Sequence, residues 1–129
     1  MNKLLPTLLL ALTSVSANAE WSFYGSNQDS DLYINHDSIR NEGEIAKMWF
    51  MEDYKGVKKT SYGKPFLSAI TLGEYDCKGE RVRTLQFAIY SGKLGKGDVV
   101  YSGGIKNGWE PIVSDSLGEI LWNIACGKK

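Results

Sequence analysis

Short runs of aromatic and β-branched residues, separated by Gly, Asn and Asp, recur through most of the chain and constrain its fold more than any other feature. Such runs are typical of β-strands, and the polar residues between them have the chemistry of turns. One run, residues 44–54, is apolar at both even and odd positions, which predicts a central strand covered on both faces through its middle. In all, the sequence predicts six strands, at residues 21–26, 32–35, 44–54, 66–77, 81–91 and 98–102.

The predicted connections between these strands are short and polar. Residues 37–43 are expected to lead into the third strand, and residues 78–80 are short enough for a hairpin between the fourth and fifth strands. Residues 109–113 are expected to be irregular, because Pro111 cannot donate a hydrogen bond to a sheet ladder. No repeat or interdomain linker is evident, so the sequence predicts a single domain.

The hydrophobic period changes near the C-terminus. Ser116 and Glu119 have the spacing of a capping box, and apolar residues follow at helical spacing at Leu117, Ile120, Leu121 and Ile124. Gly127 is placed to end this helix. On a regular helix Cys126 projects about 180° away from Leu117, so either the last turn departs from helical geometry or the helix is covered on a second side. The predicted fold class is α+β, an antiparallel sheet of about six strands with one C-terminal helix packed on it.

The first residues of the chain have the pattern of a secretory signal peptide. Lys3 supplies a positive charge, residues 4–12 form an apolar run, and an A-x-A cleavage site ends at Ala19. The run is too short for a membrane-spanning helix, which needs about 20 apolar residues. No cysteine stands at the junction to carry a lipid. We expect a signal peptide at residues 1–19 and a mature domain at residues 20–129, exported to the periplasm or the cell surface, not lipidated and without a transmembrane segment.

The chain contains two cysteines, Cys77 and Cys126. An even pair in an exported protein is typical of a disulfide. Closing a loop of about fifty residues would stabilise the fold by roughly 4 kcal/mol on the chain-entropy model. The alternatives are two free thiols or a metal pair. Two sulfurs and the single histidine, His36, make a poor metal site, so no metal site is predicted.

The charge balance argues against a nucleic-acid partner. The whole chain has 15 basic and 15 acidic residues, and removing Lys3 with the signal peptide leaves 14 basic and 15 acidic, a net charge of −1. Binding to nucleic acid draws on a marked basic excess. We therefore expect no nucleic-acid partner.

No pattern in the chain predicts a catalytic centre. His36 and Asp37 are neighbours, and neighbouring residues of a strand point to opposite faces. Glu74 and Asp76 share a strand face, and glycosidases use paired carboxylates, but charged residues are common at strand ends.

A glycine-rich segment lies between the fifth and sixth predicted strands. Gly92 and Gly97 have the spacing of a phosphate loop, but Asp98 occupies the position of its essential lysine. The glycines are better explained as turn residues with positive φ. The chain is thus predicted to be no enzyme and to need no cofactor.

Several blocks spread over nearly the whole mature chain resemble the surface-adhesin protein E family. The most specific are the Glu74-Tyr75-Asp76-Cys77 block and the terminal Ala125-Cys126 pair. Further matches are Tyr33-Ile34, Ser38-Ile39-Arg40, Trp49, Asp53-Tyr54, Arg81, Arg83, Leu85, Tyr90-Ser91-Gly92, Gly95, Gly97, Val99-Val100, Trp109-Glu110-Pro111-Ile112 and Leu121-Trp122-Asn123-Ile124. This resemblance implies an antiparallel sheet with a C-terminal helix, a Cys77–Cys126 disulfide, and binding of host matrix or serum proteins such as vitronectin, laminin and plasminogen.

These observations favour a noncatalytic exported envelope protein resembling surface-adhesin protein E. We expect its partner to bind at the hairpin around Cys77, where Lys78, Arg81 and Arg83 give electrostatic complementarity and Tyr75 adds an aromatic contact. The alternative is a periplasmic inhibitor or small-ligand-binding module with no adhesion role, which a deep apolar pocket between sheet and helix would indicate. A third reading, a hydrolase using Glu74 or Asp76, would require a cleft with close carboxylates of perturbed pKa.

Overall fold

Consecutive strands pair along the chain to form one antiparallel sheet. The computed structural model describes residues 20–104 and 108–128, so the predicted signal peptide at residues 1–19 lies outside the described residues. The strands are β1 (Ser22–Ser26), β2 (Ser30–Glu42), β3 (Ile45–Lys59), β4 (Pro65–Asp76), β5 (Arg81–Tyr90), β6 (Val99–Gly104) and β7 (Glu110–Pro111). Strands β1 to β6 are hydrogen-bonded in chain order, and the short β7 pairs with β5 in line with β6. With the helix α1 (Leu117–Ala125), this confirms the predicted α+β fold.

The second strand is longer than predicted. The sequence predicts a connection at residues 37–43, but β2 continues through this segment. Its pairing with β3 is irregular between Asn35 and Arg40. There the Ser38 hydroxyl donates a hydrogen bond to the Asn35 carbonyl oxygen at 2.6 Å and accepts one from the Trp49 main-chain N–H at 2.9 Å. A side chain thereby takes the place of ladder hydrogen bonds, and the strand runs on past the bulge.

Strand β3 is covered on both faces through its middle, as predicted. On one side, Ala46 and Met48 are fully buried beneath α1, and we call this side of the sheet the helix face. On the other side, Met51 and Asp53 are buried against the 3-10 turn Lys93–Gly95, which connects β5 to β6. Cross-strand partners lie on the same side of the sheet, so the strand register shows which side each residue of the neighbouring strands occupies. We call the side opposite the helix the open face.

The hydrophobic core lies between the helix face and α1. Each large side chain that is fully buried there contributes about 1.5–3 kcal/mol. The buried members are Leu32, Ile34, Ala46, Met48, Phe50, Tyr75, Leu121 and Ala125. Gly73 is required at its position because a Cβ there would stand 2.2 Å from the Tyr75 hydroxyl oxygen. The phenol of Tyr75 therefore lies across Gly73, and the two residues pack as a unit.

The start of α1 is capped by the predicted residues in a slightly shifted form. The Ser116 hydroxyl accepts a hydrogen bond from the Glu119 main-chain N–H at 3.2 Å. The Glu119 carboxylate reaches back to the Asp115 N–H at 3.0 Å, one residue earlier than in the usual reciprocal box. The first bond satisfies a donor that a helix start leaves unpaired, and the second holds the residue before the cap.

The end of α1 explains how Cys126 reaches Cys77. Gly127 adopts a φ of +68° and donates to the Ile124 carbonyl oxygen, while Lys128 donates to the Asn123 carbonyl oxygen at 2.8 Å. This is a Schellman motif, which confirms Gly127 as the helix terminator. Cys126 stands just past the helix with a φ of −92° and a ψ of 1°, so the backbone leaves helical geometry there. It forms the predicted disulfide with Cys77, at a Cα–Cα distance of 5.6 Å.

Candidate functional site

The Glu74-Tyr75-Asp76-Cys77 block divides its side chains between the two faces of the sheet. Glu74 and Asp76 lie on the open face, in register with Arg83 and Arg81 of β5. Tyr75 lies on the helix face, where only 2% of the residue is exposed, and burial raises the pKa of its hydroxyl. The structure therefore places Tyr75 in the core, out of reach of a surface partner.

Asp76 organises the β4–β5 hairpin. One carboxylate oxygen accepts hydrogen bonds from the main-chain N–H groups of Lys78 at 3.2 Å and Gly79 at 2.8 Å. The other oxygen accepts two from the Arg81 guanidinium, at 3.2 and 2.7 Å. The hydrogen bond from Arg81, reinforced by the bond from Gly79, lowers the pKa of the Asp76 carboxyl. Asp76 thus holds both the turn and the first arginine of β5 in place.

Two arginines of β5 lie against the ring of Trp109. The guanidinium carbon of Arg83 is 4.5 Å from the ring centroid and that of Arg81 is 5.1 Å away, both within cation–π range. Arg83 also donates to the Glu74 carboxylate at 2.6 Å. We call Arg81, Arg83 and Trp109 the Arg–Trp cluster. The guanidinium groups of Arg81 and Arg83 are each positioned by a carboxylate, from Asp76 and Glu74, and by the indole ring of Trp109.

The remaining predicted site residue, Lys78, lies in the hairpin turn and is exposed. It forms no ion pair with the described residues. The structure therefore brings Arg81 and Arg83 together on the open face, with Lys78 at the adjacent hairpin end and Tyr75 on the other side of the sheet.

Trp109 is the residue of this site that sequence reasoning did not assign to it. It lies far from both arginines in sequence and immediately before β7. Strand β7 pairs Glu110 and Pro111 with the start of β5, and this pairing brings the indole over the arginine side chains. The pairing places Pro111 on a short edge strand, which is where proline is tolerated in sheets. Only the unpredicted β7 pairing could have identified the cluster.

A shallow concavity lies farther along β5 on the open face. Its volume is about 340 Å³, and its lining includes Trp49, Gln86, Ala88, Tyr90 and Ser102. Trp49 lies in register with Leu72 and then Gln86, and Ala88 lies in the next row. The small side chain of Ala88 leaves the depression between the larger neighbours. The open face thus offers two half-buried aromatic rings, Trp49 and Tyr90, and the exposed Gln86 amide in one depression.

The glycine-rich loop closes the other end of the open face and confirms that its glycines serve a turn. Gly95 and Gly97 have positive φ, at +71° and +84°. The loop's amide groups bond within the protein, since Leu94 donates to the Asp53 carboxylate at 2.7 Å and Gly95 donates to the Ser68 hydroxyl at 2.8 Å. These donors are therefore occupied and do not form a phosphate cradle.

Comparison with known proteins identifies the family. The profile of the family described as surface-adhesin protein E matches residues 21–127. The chain belongs to the surface-adhesin protein E family. This confirms the resemblance found in the sequence, and the match covers nearly the whole predicted mature domain. No curated protein matches the chain.

Solved structures of Haemophilus influenzae protein E share the fold of this family member. Crystal form II of that protein has a TM-score of 0.65 and 13% identity, over 85% of this chain and 89% of that chain. Another structure of the same protein has a TM-score of 0.61 and 16% identity, over 85% and 86% of the two chains. At these identities the similarity shows a common fold. Among the described residues, no helix is long and apolar enough to cross a membrane.

Proposed function

We propose that this member of the surface-adhesin protein E family is a noncatalytic envelope protein that binds host matrix or serum proteins. The observation that carries the proposal is the Arg–Trp cluster, which stands on a sheet face that α1 leaves uncovered. Tryptophan and arginine are the residues most enriched among binding hot spots. Vitronectin, laminin and plasminogen are the partners that the family suggests.

The cluster is suited to contact rather than to long-range attraction. Arg81 and Arg83 are paired with Asp76 and Glu74, so their charges are largely compensated. Their guanidinium groups are also already ordered, and a partner that stacks on them loses less side-chain entropy than it would with free arginines. Lys78, which has no such pairing among the described residues, supplies the uncompensated charge at the hairpin end.

The arrangement of Glu74 and Asp76 supports a noncatalytic role. Each carboxylate accepts hydrogen bonds from an arginine, and the pKa of Asp76 is lowered. A general acid at neutral pH needs the opposite shift. We infer that this pair orders the arginines and does not act on a substrate.

The alternative, a periplasmic inhibitor or small-ligand module, was expected to show a deep apolar pocket between sheet and helix. Met48 of the sheet and Leu121 of the helix instead belong to one buried hydrophobic cluster, at 0% and 4% exposure. This packing favours the adhesin-like proposal, since the sheet–helix interface holds a core and not a ligand.

Two measurements test the proposal. The mature protein, residues 20–129, is passed over immobilised vitronectin, laminin and plasminogen. Immobilised serum albumin serves as the control surface. In parallel, intact cells are treated with protease and fractionated. We expect saturable binding to at least one partner and degradation of the protein on intact cells. Absence of binding to all three, or full protection from protease, would contradict the proposal.

A further inference from the structure

A second concavity lies on the helix face, on the far side of the sheet from the Arg–Trp cluster. Its volume is about 530 Å³, within the range of small-molecule sites. Residues that line it include Lys59, Lys64, Phe66, Phe87, Ile89 and Tyr101. We call it the β3–β6 groove, because the tip of the β3–β4 hairpin forms one wall and strands β5 and β6 form the other.

The register places the groove beyond the edge of the core. Phe50 faces α1, its partner Thr71 pairs onward with Phe87, and Ala69 pairs with Ile89. Phe87 and Ile89 therefore lie on the helix face. They are, however, outside the cluster of residues that pack against α1. Among the described residues, their side chains form an apolar wall outside the core cluster.

Aromatic rings shape the groove at both ends. Phe66 packs edge-on against Tyr54, with ring centroids 5.7 Å apart. Phe87 and Tyr101 pack at the same centroid distance, 5.7 Å, in a tilted arrangement. These contacts fix the rings as walls, so the groove is formed before any ligand arrives.

The mouth of the groove carries two cations. Lys59 ends β3 and pairs with Pro65, which places Lys64 beside it across the hairpin. The Thr60 hydroxyl links the turn, because it accepts hydrogen bonds from the Tyr62 and Lys64 main-chain N–H groups. Neither lysine forms an ion pair with the described residues, whereas Lys58 is paired with Asp29.

An apolar groove with two uncompensated cations at one end is complementary to a molecule with an alkyl chain and an anionic head. We propose that the β3–β6 groove binds a free single-chain fatty acid, with its carboxylate at Lys59 and Lys64 and its chain against Phe66, Phe87 and Ile89. The carboxylate forms charge-assisted hydrogen bonds with the ammonium groups. The chain gains affinity by about fourfold for each methylene group it buries. This site is separate from the proposed host-protein surface, and each stands without the other.

The test uses the mature protein and dodecanoate below its micelle concentration, with binding measured by isothermal titration calorimetry. Lys59→Gln/Lys64→Gln removes both cations at the mouth. The matched control is Lys96→Gln/Lys128→Gln, which removes two exposed lysines outside the groove lining. We expect saturable binding to the native protein, at least tenfold weaker binding to the groove variant, and no change in the control. All these substitutions are at the surface, so near-native thermal unfolding confirms that each variant is folded.

Two further probes separate the fatty acid from other sources of the same chemistry. Octanoate should bind the native protein more weakly than dodecanoate does. Dodecanol lacks the carboxylate, so its affinity for the native protein should be no higher than that of dodecanoate for the groove variant. Three outcomes would overturn the proposal: no binding of dodecanoate, equal binding by the groove variant and the native protein, or binding only to phosphatidylglycerol vesicles. The last outcome would mark a membrane-facing surface instead of a fatty-acid site.

Discussion

The indole Nε1 of Trp122 donates a hydrogen bond to the main-chain carbonyl oxygen of Asp76 at 2.8 Å. Asp76 immediately precedes Cys77, and Trp122 lies one helical turn before Cys126, so this bond runs beside the disulfide. The C-terminal helix is therefore tied to the end of β4 by a covalent link, a hydrogen bond and the packing of Leu121 and Ala125.

The Trp122 bond should make a modest and measurable contribution. Trp122→Phe keeps an aromatic ring in place but removes the donor, and we expect the free energy of unfolding in urea to fall by about 1 kcal/mol. The Asp76 carbonyl oxygen still accepts the Glu80 N–H at 2.9 Å, so it is not left unpaired. A loss above about 3 kcal/mol would instead indicate that the smaller ring leaves a cavity.

The disulfide should contribute more than this bond. Cys77→Ala/Cys126→Ala opens a cross-link with a sequence separation of 49, and we expect a loss of about 2–5 kcal/mol in urea unfolding. The helix should stay docked, because its apolar contacts and the Trp122 bond remain. Far-ultraviolet circular dichroism of the folded variant should match the native spectrum. A spectrum without the helical contribution would show that the helix does not persist without the covalent link.

Asp76 should give the protein an acid-sensitive component of stability. Its pKa is lowered in the folded protein by Arg81, relative to about 3.9 in the unfolded chain. Between the folded and the unfolded pKa, the unfolded state therefore binds more protons than the folded state. The contribution of Asp76 to stability is complete above the unfolded pKa and is lost as the pH falls through the folded pKa. Asp76→Asn should be destabilised relative to the native protein at pH 7, and the difference should shrink toward pH 2. Denaturant titrations at both pH values measure it; a constant difference would contradict the assignment.

Glu52 should behave in the opposite way. Burial, with the Asp29 charge second, raises the pKa of its carboxyl in the folded protein. The folded state then binds more protons, so stability falls as the pH rises from the unfolded pKa of about 4.3 through the folded value. Glu52→Gln should therefore be more stable than the native protein at pH 7 and no more stable below pH 4. Glu80→Gln, an exposed position, is the control and should show neither effect.

Local patterns in the sequence predict most strands and the helix. The features that they do not predict depend on contacts between residues far apart in the sequence. The period of residues 117–124 and the placement of Gly127 predicted α1, because helix caps and stripes are encoded by neighbours. The extent of β2 was missed because Ser38 acts through Trp49, a residue on another strand. A hydroxyl that replaces a ladder bond has no local signature.

The candidate site shows the same division. Arg81 and Arg83 are predicted site residues because of their charge and their position on the hairpin, and Lys78 because of its place in the turn; their part in binding stays a prediction. Tyr75 was misplaced because a strand alternates its side chains, and nothing near it shows which face carries the helix. Trp109 lies against the arginines because β7 pairs with β5, and a strand of two residues is too short to be predicted from the sequence.

The central claim is that the Arg–Trp cluster is the surface that host proteins contact, and one substitution tests it. Trp109→Ala removes the indole and leaves the Arg81–Asp76 and Arg83–Glu74 pairs intact. Phe23→Ala is the matched control, an exposed aromatic residue on β1 at the far edge of the sheet. The measurement is the affinity of each mature variant for immobilised vitronectin. We expect Trp109→Ala to bind at least about 30-fold more weakly, as loss of a hot spot of 2 kcal/mol or more requires, and Phe23→Ala to bind like the native protein. Unchanged vitronectin affinity in Trp109→Ala would contradict the claim.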